Sequence, residues 1–135
     1  MGRSLLILLD THVVVWLASG DSRMSRTAHA AIHEARKSER GLAISDFTLF
    51  ELSQLFRKKQ FSLAVSPETF LAEVERRFVV FSITSNIALQ AFELPANYPK
   101  DPADRIIGAT ALIEDLPLIT ADKQIHKACA FPTIW

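Results

Sequence analysis

The chain has 135 residues, 49% of them hydrophobic, which is the size and apolar content of one globular domain with its own core. Lys and Arg number 15, as do Asp and Glu, so a net charge of zero excludes a global attraction to nucleic acid or membrane. An anionic partner has to be held by a local patch or through bound cations. A single cysteine, Cys129, excludes an internal disulfide and suits a reducing cytoplasm.

In chain order, LLILL (5–9) is an apolar run that stops at an acid, as expected of a strand buried on both faces of a parallel sheet. The run is too short for a signal peptide, and Asp10 and His12 separate it from the apolar residues 13–17. No uncharged stretch is long enough to span a bilayer, so the expectation is a soluble, cytoplasmic protein without a membrane partner. Helical character begins at Val13 to Leu17. Ser25 then caps a helix over 26–38 that carries Ala28, Ala31, Ile32 and Ala35 on one side.

LAIS (42–45) reads as a second strand, and 46–59 as a helix with Asp46 as N-cap and basic residues in its last turn. Ser66 and Pro67 open a further helix, as N-cap and first helical residue, which runs to about Arg77. FVVFSI (78–83) is a third strand, followed by a helix at about 85–93 and a loop with Pro95 and Pro99. Asp101-Pro102 opens a helix to about Glu114, PLIT (117–120) is a fourth strand, 123–129 a short helix, and PTIW (132–135) a short last strand. Strands alternating with helices imply parallel βαβ units and a doubly wound α/β sheet, with no visible domain boundary. Sites in such sheets form beyond the carboxyl ends of the strands, where strand order reverses.

Four acids fall on that edge. Asp10 lies just past the first strand, and Asp122 lies two residues past PLIT. Asp104 is near the start of a helix that runs antiparallel to the strands, so it too lies at their carboxyl ends. Glu51 falls between Phe47 and Leu55 on a helical wheel, inside an apolar face, where an acid is costly to bury without a partner or a cation. Crowded carboxylates repel one another and raise each other's pKa, and a hard divalent cation relieves this. Oxygen ligands without a Cys or His cluster favour Mg²⁺ or Mn²⁺ over zinc, and such a site suits phosphodiester hydrolysis. Each acid also has a plainer reading. Asp101 is chiefly a helix cap, Asp104 a first-turn charge, Asp10 and Asp122 caps of the helical segments after them, and Glu51 an ion-pair partner. It is the convergence that points to chemistry.

LLILLDTHVVVWLASGD, SDFTLFELSQLFRKK and KDPADRIIGATALIEDLPLITADKQI resemble the PIN domain, and most of all the VapC-type toxins of bacterial toxin–antitoxin pairs. The resemblance runs from Leu5 to Trp135. It implies a single PIN-like nuclease domain over 1–135, in three αβα layers, with a parallel sheet of about five strands ordered 3-2-1-4-5. It also implies Mg²⁺- or Mn²⁺-dependent ribonuclease activity, a cognate antitoxin, a homodimer, and Asp10, Glu51, Asp104 and Asp122 as metal-binding catalytic acids. Thr11 and Thr120 stand where relatives often place a hydroxyl that orients a carboxylate, against the alternatives of helix capping and strand-end packing.

Arg105 can pair with Asp101 or Glu51 or hold a phosphate, and Lys123 can meet an RNA backbone. His29 and His33 are spaced as a pair on a helix face but have no third ligand, which favours a solvated face. For His12 a local hydrogen bond is the default. RKK (57–59) answers the dipole of its helix, with a phosphate-steering patch as the functional alternative. Trp16, Phe47, Phe50 and Phe56 read as core or interface, with an apolar groove near Trp16 and Phe50 as a candidate antitoxin seat.

Two other functions compete. A haloacid-dehalogenase-type phosphatase also uses an Asp after the first strand, but it needs a second acid two residues on, where this chain has His12. The non-enzyme alternative is a catalytically silent PIN-like module that binds RNA or protein.

Overall fold

A computed structural model describes residues 6–37 and 41–135. Leu5 of the expected first strand and Ser38 of the expected second helix lie outside them. The strands are β1 (Ile7–Leu9), β2 (Leu42–Ser45), β3 (Val79–Phe81), β4 (Leu118–Ile119) and β5 (Thr133–Ile134). All pairings are parallel, in the order β3-β2-β1-β4-β5. The chain therefore winds outward from β1 to β3, then returns to β4 on the other side of β1. The reversal lies between β1 and β4, where Leu9 stands opposite Ile119.

Successive residues of each strand serve opposite faces. Leu9, Leu42, Ile44 and Ile119 join one core with Val13, Ile32, Leu52 and Val74. Leu8, Ala43 and Leu118 join the other with Tyr98, Ile107 and Ile125. Leu8 and Leu9 are both fully buried, which is why LLILL is continuously apolar rather than alternating.

The helices are α1 (Thr11–Ser19), α2 (Arg26–Lys37), α3 (Asp46–Arg57), α4 (Pro67–Arg77), α5 (Ser85–Gln90), α6 (Pro102–Glu114) and α7 (Lys123–Ala128). Helix α1 starts two residues before Val13, because Asp10 caps it directly at the end of β1. Ser25 and Ser66 cap as expected, their hydroxyls accepting from the Ala28 and Thr69 amides at 3.0 and 3.1 Å. Ala28, Ile32 and Ala35 are the buried stripe of α2.

Two expected caps are corrected. The N-cap of α3 is Ser45, whose hydroxyl accepts from Phe47 N–H at 3.1 Å. Asp46 is instead the first helical residue, and its Oδ2 reaches across to accept from Ile83 N–H at 3.3 Å. Asp101 occupies the N-cap position of α6, but its side chain makes no capping bond. Helix α5 is shorter than expected and ends at Gln90, and α3 ends at Arg57, with Lys59 left-handed (φ 58°). Strands β3, β4 and β5 are also shorter than their apolar runs, because pairing stops before the apolar composition does. Among the described residues no helix is long and apolar enough to cross a membrane.

Candidate active site

The site forms at the carboxyl ends of β1 and β4. Asp10 is buried there (5% exposed) and is held by two donors. Its Oδ1 accepts from Thr11 N–H at 2.9 Å, and its Oδ2 accepts from the Thr120 hydroxyl at 2.7 Å. Capping and site geometry are thus compatible: the bond that starts α1 also fixes the carboxylate plane.

Glu51 reaches the same place from the second turn of α3. The Thr11 hydroxyl donates to Glu51 Oε1. Having donated its one proton there, Thr11 accepts from the Thr48 hydroxyl at 3.0 Å. Thr48 is fully buried and lies one turn before Glu51 on the same helix. Sequence reading overlooked it, although a hydroxyl three residues before a buried acid is a usable signal. Burial pushes the Glu51 carboxyl up, and the nearby Asp10 and Asp101 charges add to this, while the Thr11 hydroxyl opposes it.

Asp104 and Asp101 come from the first turn of α6 and the residue before it. Burial raises the Asp104 carboxyl to about 7, with the charges of Asp10, Asp101, Asp122 and Glu51 contributing in that order. Asp104 therefore feels all the other acids. Tyr98, fully buried behind it, donates its hydroxyl to the Asp104 carbonyl at 3.0 Å. Burial and the Asp10, Asp104 and Asp122 charges push the phenol far above its ordinary range, so it remains a donor. Nothing in the sequence marked Tyr98. Arg105 forms no ion pair with Asp101 or Glu51 among the described residues, and its Nη1 donates to the Ala91 carbonyl at 3.0 Å.

Asp122 caps α7, Oδ1 accepting from Gln124 and Ile125 N–H at 2.8 and 3.2 Å. Its own amide donates to Thr120 Oγ1 at 3.1 Å. Thr120 thus accepts a hydrogen bond from the Asp122 backbone and donates one to Asp10, so it links the two acids as well as packing at the strand end. Lys123 is exposed at the start of α7. His12 makes a distant bond rather than a local one, its Nε2 accepting from Ala121 N–H at 3.0 Å. Beside it, His126 joins the Thr120 carbonyl to the Thr133 hydroxyl, each at 2.7 Å.

The acids stand close enough to perturb one another, but not in a closed cage. Among the described residues, no three His, Cys, Asp or Glu side chains converge tightly enough to hold an ion as they stand. The donor set fits a hard divalent cation: all oxygen, anionic, with Asp10 oriented by two hydrogen bonds. Mg²⁺ needs only one or two direct carboxylates and keeps waters for the rest.

His29 and His33 lie on the exposed face of α2. Arg57 ends α3 with Lys58 as its C-cap, as the dipole reading expects. Phe56 packs against Phe61 and Phe70, whereas Phe50 is 55% exposed beside Phe47. Among the described residues, Trp16 packs in tilted contact with His12 and Trp135, and the ring neighbour of Phe50 is Phe47. A cavity of about 290 Å³ lies between α1 and α4, floored by Val14, Leu17, Phe70 and Val74 with Arg36 and Arg77 beside them.

Comparison with known proteins bears on the family and the fold. The family model described as PIN domain matches residues 7–130. The chain is 33% identical over 131 residues to Ribonuclease VapC22 of Mycobacterium tuberculosis, covering 96% of this chain and 98% of that protein. Its fold is similar to a toxin–antitoxin complex from Klebsiella pneumoniae (TM-score 0.62, 23% identity, 92% of each chain). It is also similar to DNA-bound VapBC from Salmonella typhimurium (TM-score 0.67, 23% identity, 96% of each chain).

Proposed function

The chain belongs to the PIN-domain family, and from that premise we propose that it is a metal-dependent endoribonuclease, the toxin of a bacterial toxin–antitoxin pair. The observation that carries this reading is the placing of Asp10, Glu51, Asp101 and Asp122, drawn from separate segments near the β1/β4 reversal, within electrostatic reach of Asp104. The ribonuclease named among its relatives and the VapBC complexes among its structural neighbours support the same reading.

In this reading Asp10, Glu51, Asp104 and Asp122 hold Mg²⁺, for which Mn²⁺ can substitute. When bound, such a cation lowers the pKa of a coordinated water and neutralises charge building on the phosphate. The chain's own residues do the positioning. Thr120 and the Thr11 amide hold the Asp10 lone pairs in place, and the Thr48–Thr11 relay holds Glu51. Lys123 meets the RNA backbone, and Arg105, anchored on Ala91, presents its remaining donors to a phosphate. Hydrolysis leaves a 5′-phosphate and a 3′-hydroxyl.

The partners in this reading are RNA, a second copy of the chain, and an antitoxin whose apolar segment fills the cavity between α1 and α4. The test is mapping of new RNA 5′ ends in cells after induced expression. Wild type is expected to generate defined ends, and Asp10→Asn and Asp104→Asn none, with both variants still folded. Full cleavage by either variant, or cleavage undiminished in excess chelator, sinks the proposal.

A further inference from the structure

His12 lies outside the set of acids but is tied to them. Backbone pairing around β4 ends with Thr120 N–H donating to the Ile134 carbonyl. The next amide, Ala121 N–H, donates to His12 Nε2 at 3.0 Å, from 109 residues away in sequence. An amide donor requires a lone pair on Nε2, so the ring proton sits on Nδ1. Nδ1 faces Asp10 Oδ2 at 3.7 Å, too long for a hydrogen bond. Nε2 is thereby taken by the Ala121 amide and Nδ1 carries the ring proton, so neither presents a free lone pair to a metal ion.

The ring is also flanked by two indoles. Trp16, one turn further along α1, lies 4.9 Å away between centroids, and Trp135, beyond β5, lies at 6.4 Å. The two indoles are 5.7 Å apart, and the Arg23 guanidinium covers Trp16 at 4.7 Å. The loop that carries Asp122 is therefore fastened to the β1–α1 junction twice. Thr120 orients the Asp10 carboxylate, whereas His12 fixes the backbone one residue before Asp122.

We propose that His12 is a positioning residue: through its bond to the Ala121 amide it sets the separation of Asp10 and Asp122, and Trp16 and Trp135 hold its ring in place. The metal-binding part of this rests on the nuclease reading above, and the loop-fastening part does not.

Two substitutions separate acceptor from bulk. His12→Phe keeps a planar ring against the indoles but offers no acceptor. His12→Gln places an amide oxygen within reach of Ala121. Amide hydrogen exchange at Ala121 is expected to accelerate about tenfold or more in His12→Phe and to recover in His12→Gln, since exchange reports local opening. Mn²⁺ affinity, measured by calorimetry on the full chain, is expected to fall roughly 10–100-fold in His12→Phe and to recover in His12→Gln, the range for partners that orient metal ligands. Should His12→Phe not fold, His12→Asn, too short to reach the amide, takes its place with the same expectations. Unchanged exchange at Ala121 overturns the proposal, as does a loss of Mn²⁺ affinity that glutamine does not restore. If wild type binds no Mn²⁺, the nuclease reading fails with it, and exchange at Ala121 alone decides whether His12 fastens the loop.

Discussion

The Tyr98 hydroxyl occupies the space where a side chain at position 108 would begin. A Cβ built on Gly108 would lie 2.2 Å from the Tyr98 oxygen and 2.7 Å from its Cζ. Glycine inside a helix ordinarily costs about 0.5–1 kcal/mol relative to alanine, so Gly108→Ala would normally stabilise α6. Here Tyr98 is fully buried and bonded to the Asp104 carbonyl, so it has nowhere to retreat. Gly108→Ala is expected to destabilise by about 1–3 kcal/mol, the usual cost of overpacking. Tyr98→Phe, which frees the space of the hydroxyl, should soften that cost in the double variant. Urea unfolding of the four proteins measures this, and a Gly108→Ala variant as stable as wild type would contradict the contact.

A second expectation concerns pH. Asp104 rises from 3.8 to about 7 on folding, so between those values the folded chain binds a proton that the unfolded chain does not. Its contribution to stability is complete below about pH 4 and is lost as pH rises through about 7. In chelator, the melting temperature of wild type relative to Asp104→Asn should fall across that window. Added Mn²⁺ should reverse the trend, because a cation competes with the proton for the same carboxylate. A difference that stays flat from about pH 4 to 8 would refute the shift.

Thr120 is the joint between Asp10 and the Asp122 backbone. Thr120→Val keeps the shape, but leaves a buried carboxylate oxygen without its donor and the Asp122 amide without its acceptor. The expected cost is roughly 1–3 kcal/mol in stability, with RNA cleavage reduced more than folding. Denaturant unfolding and a cleavage assay on the same preparation separate the two effects. Cleavage at the wild-type rate would show that the joint does not orient Asp10.

The start of α3 offers a simpler test. Ser45→Ala removes the hydroxyl that accepts from Phe47 N–H and should cost about 1 kcal/mol. Asp46→Ala should cost less, because its one bond is long, at 3.3 Å to Ile83 N–H, and it relieves a buried Oδ1 without a partner among the described residues. Thermal unfolding ranks the two, and the reverse order would restore Asp46 as the cap.

These cases show where sequence reading was strong. The alternation of apolar strand and amphipathic helix marked every strand, and the parallel order 3-2-1-4-5 came from the family resemblance. Asp10 and Asp122 were legible because each ends an apolar run, and Asp104 because it sits in a helix's first turn. Their carboxyl-edge placement is a consequence of βα connectivity alone. Caps were less legible. Ser45 and Asp46 are adjacent and both suit the position, and one residue of helix phase decides between them.

By itself, then, the sequence determined the elements, their direction and which acids lie at the sheet's carboxyl edge, because periodicity and connectivity are properties of neighbouring residues. Tertiary structure decided what holds those acids. Thr48 meets Thr11 across 37 positions, Ala121 meets His12 across 109, and Thr120 meets Asp10 across 110. Such partners are chosen by strand order and by the space left between packed faces. The hydrogen bond of a buried hydroxyl or imidazole is fixed only once burial has removed water as the competing partner.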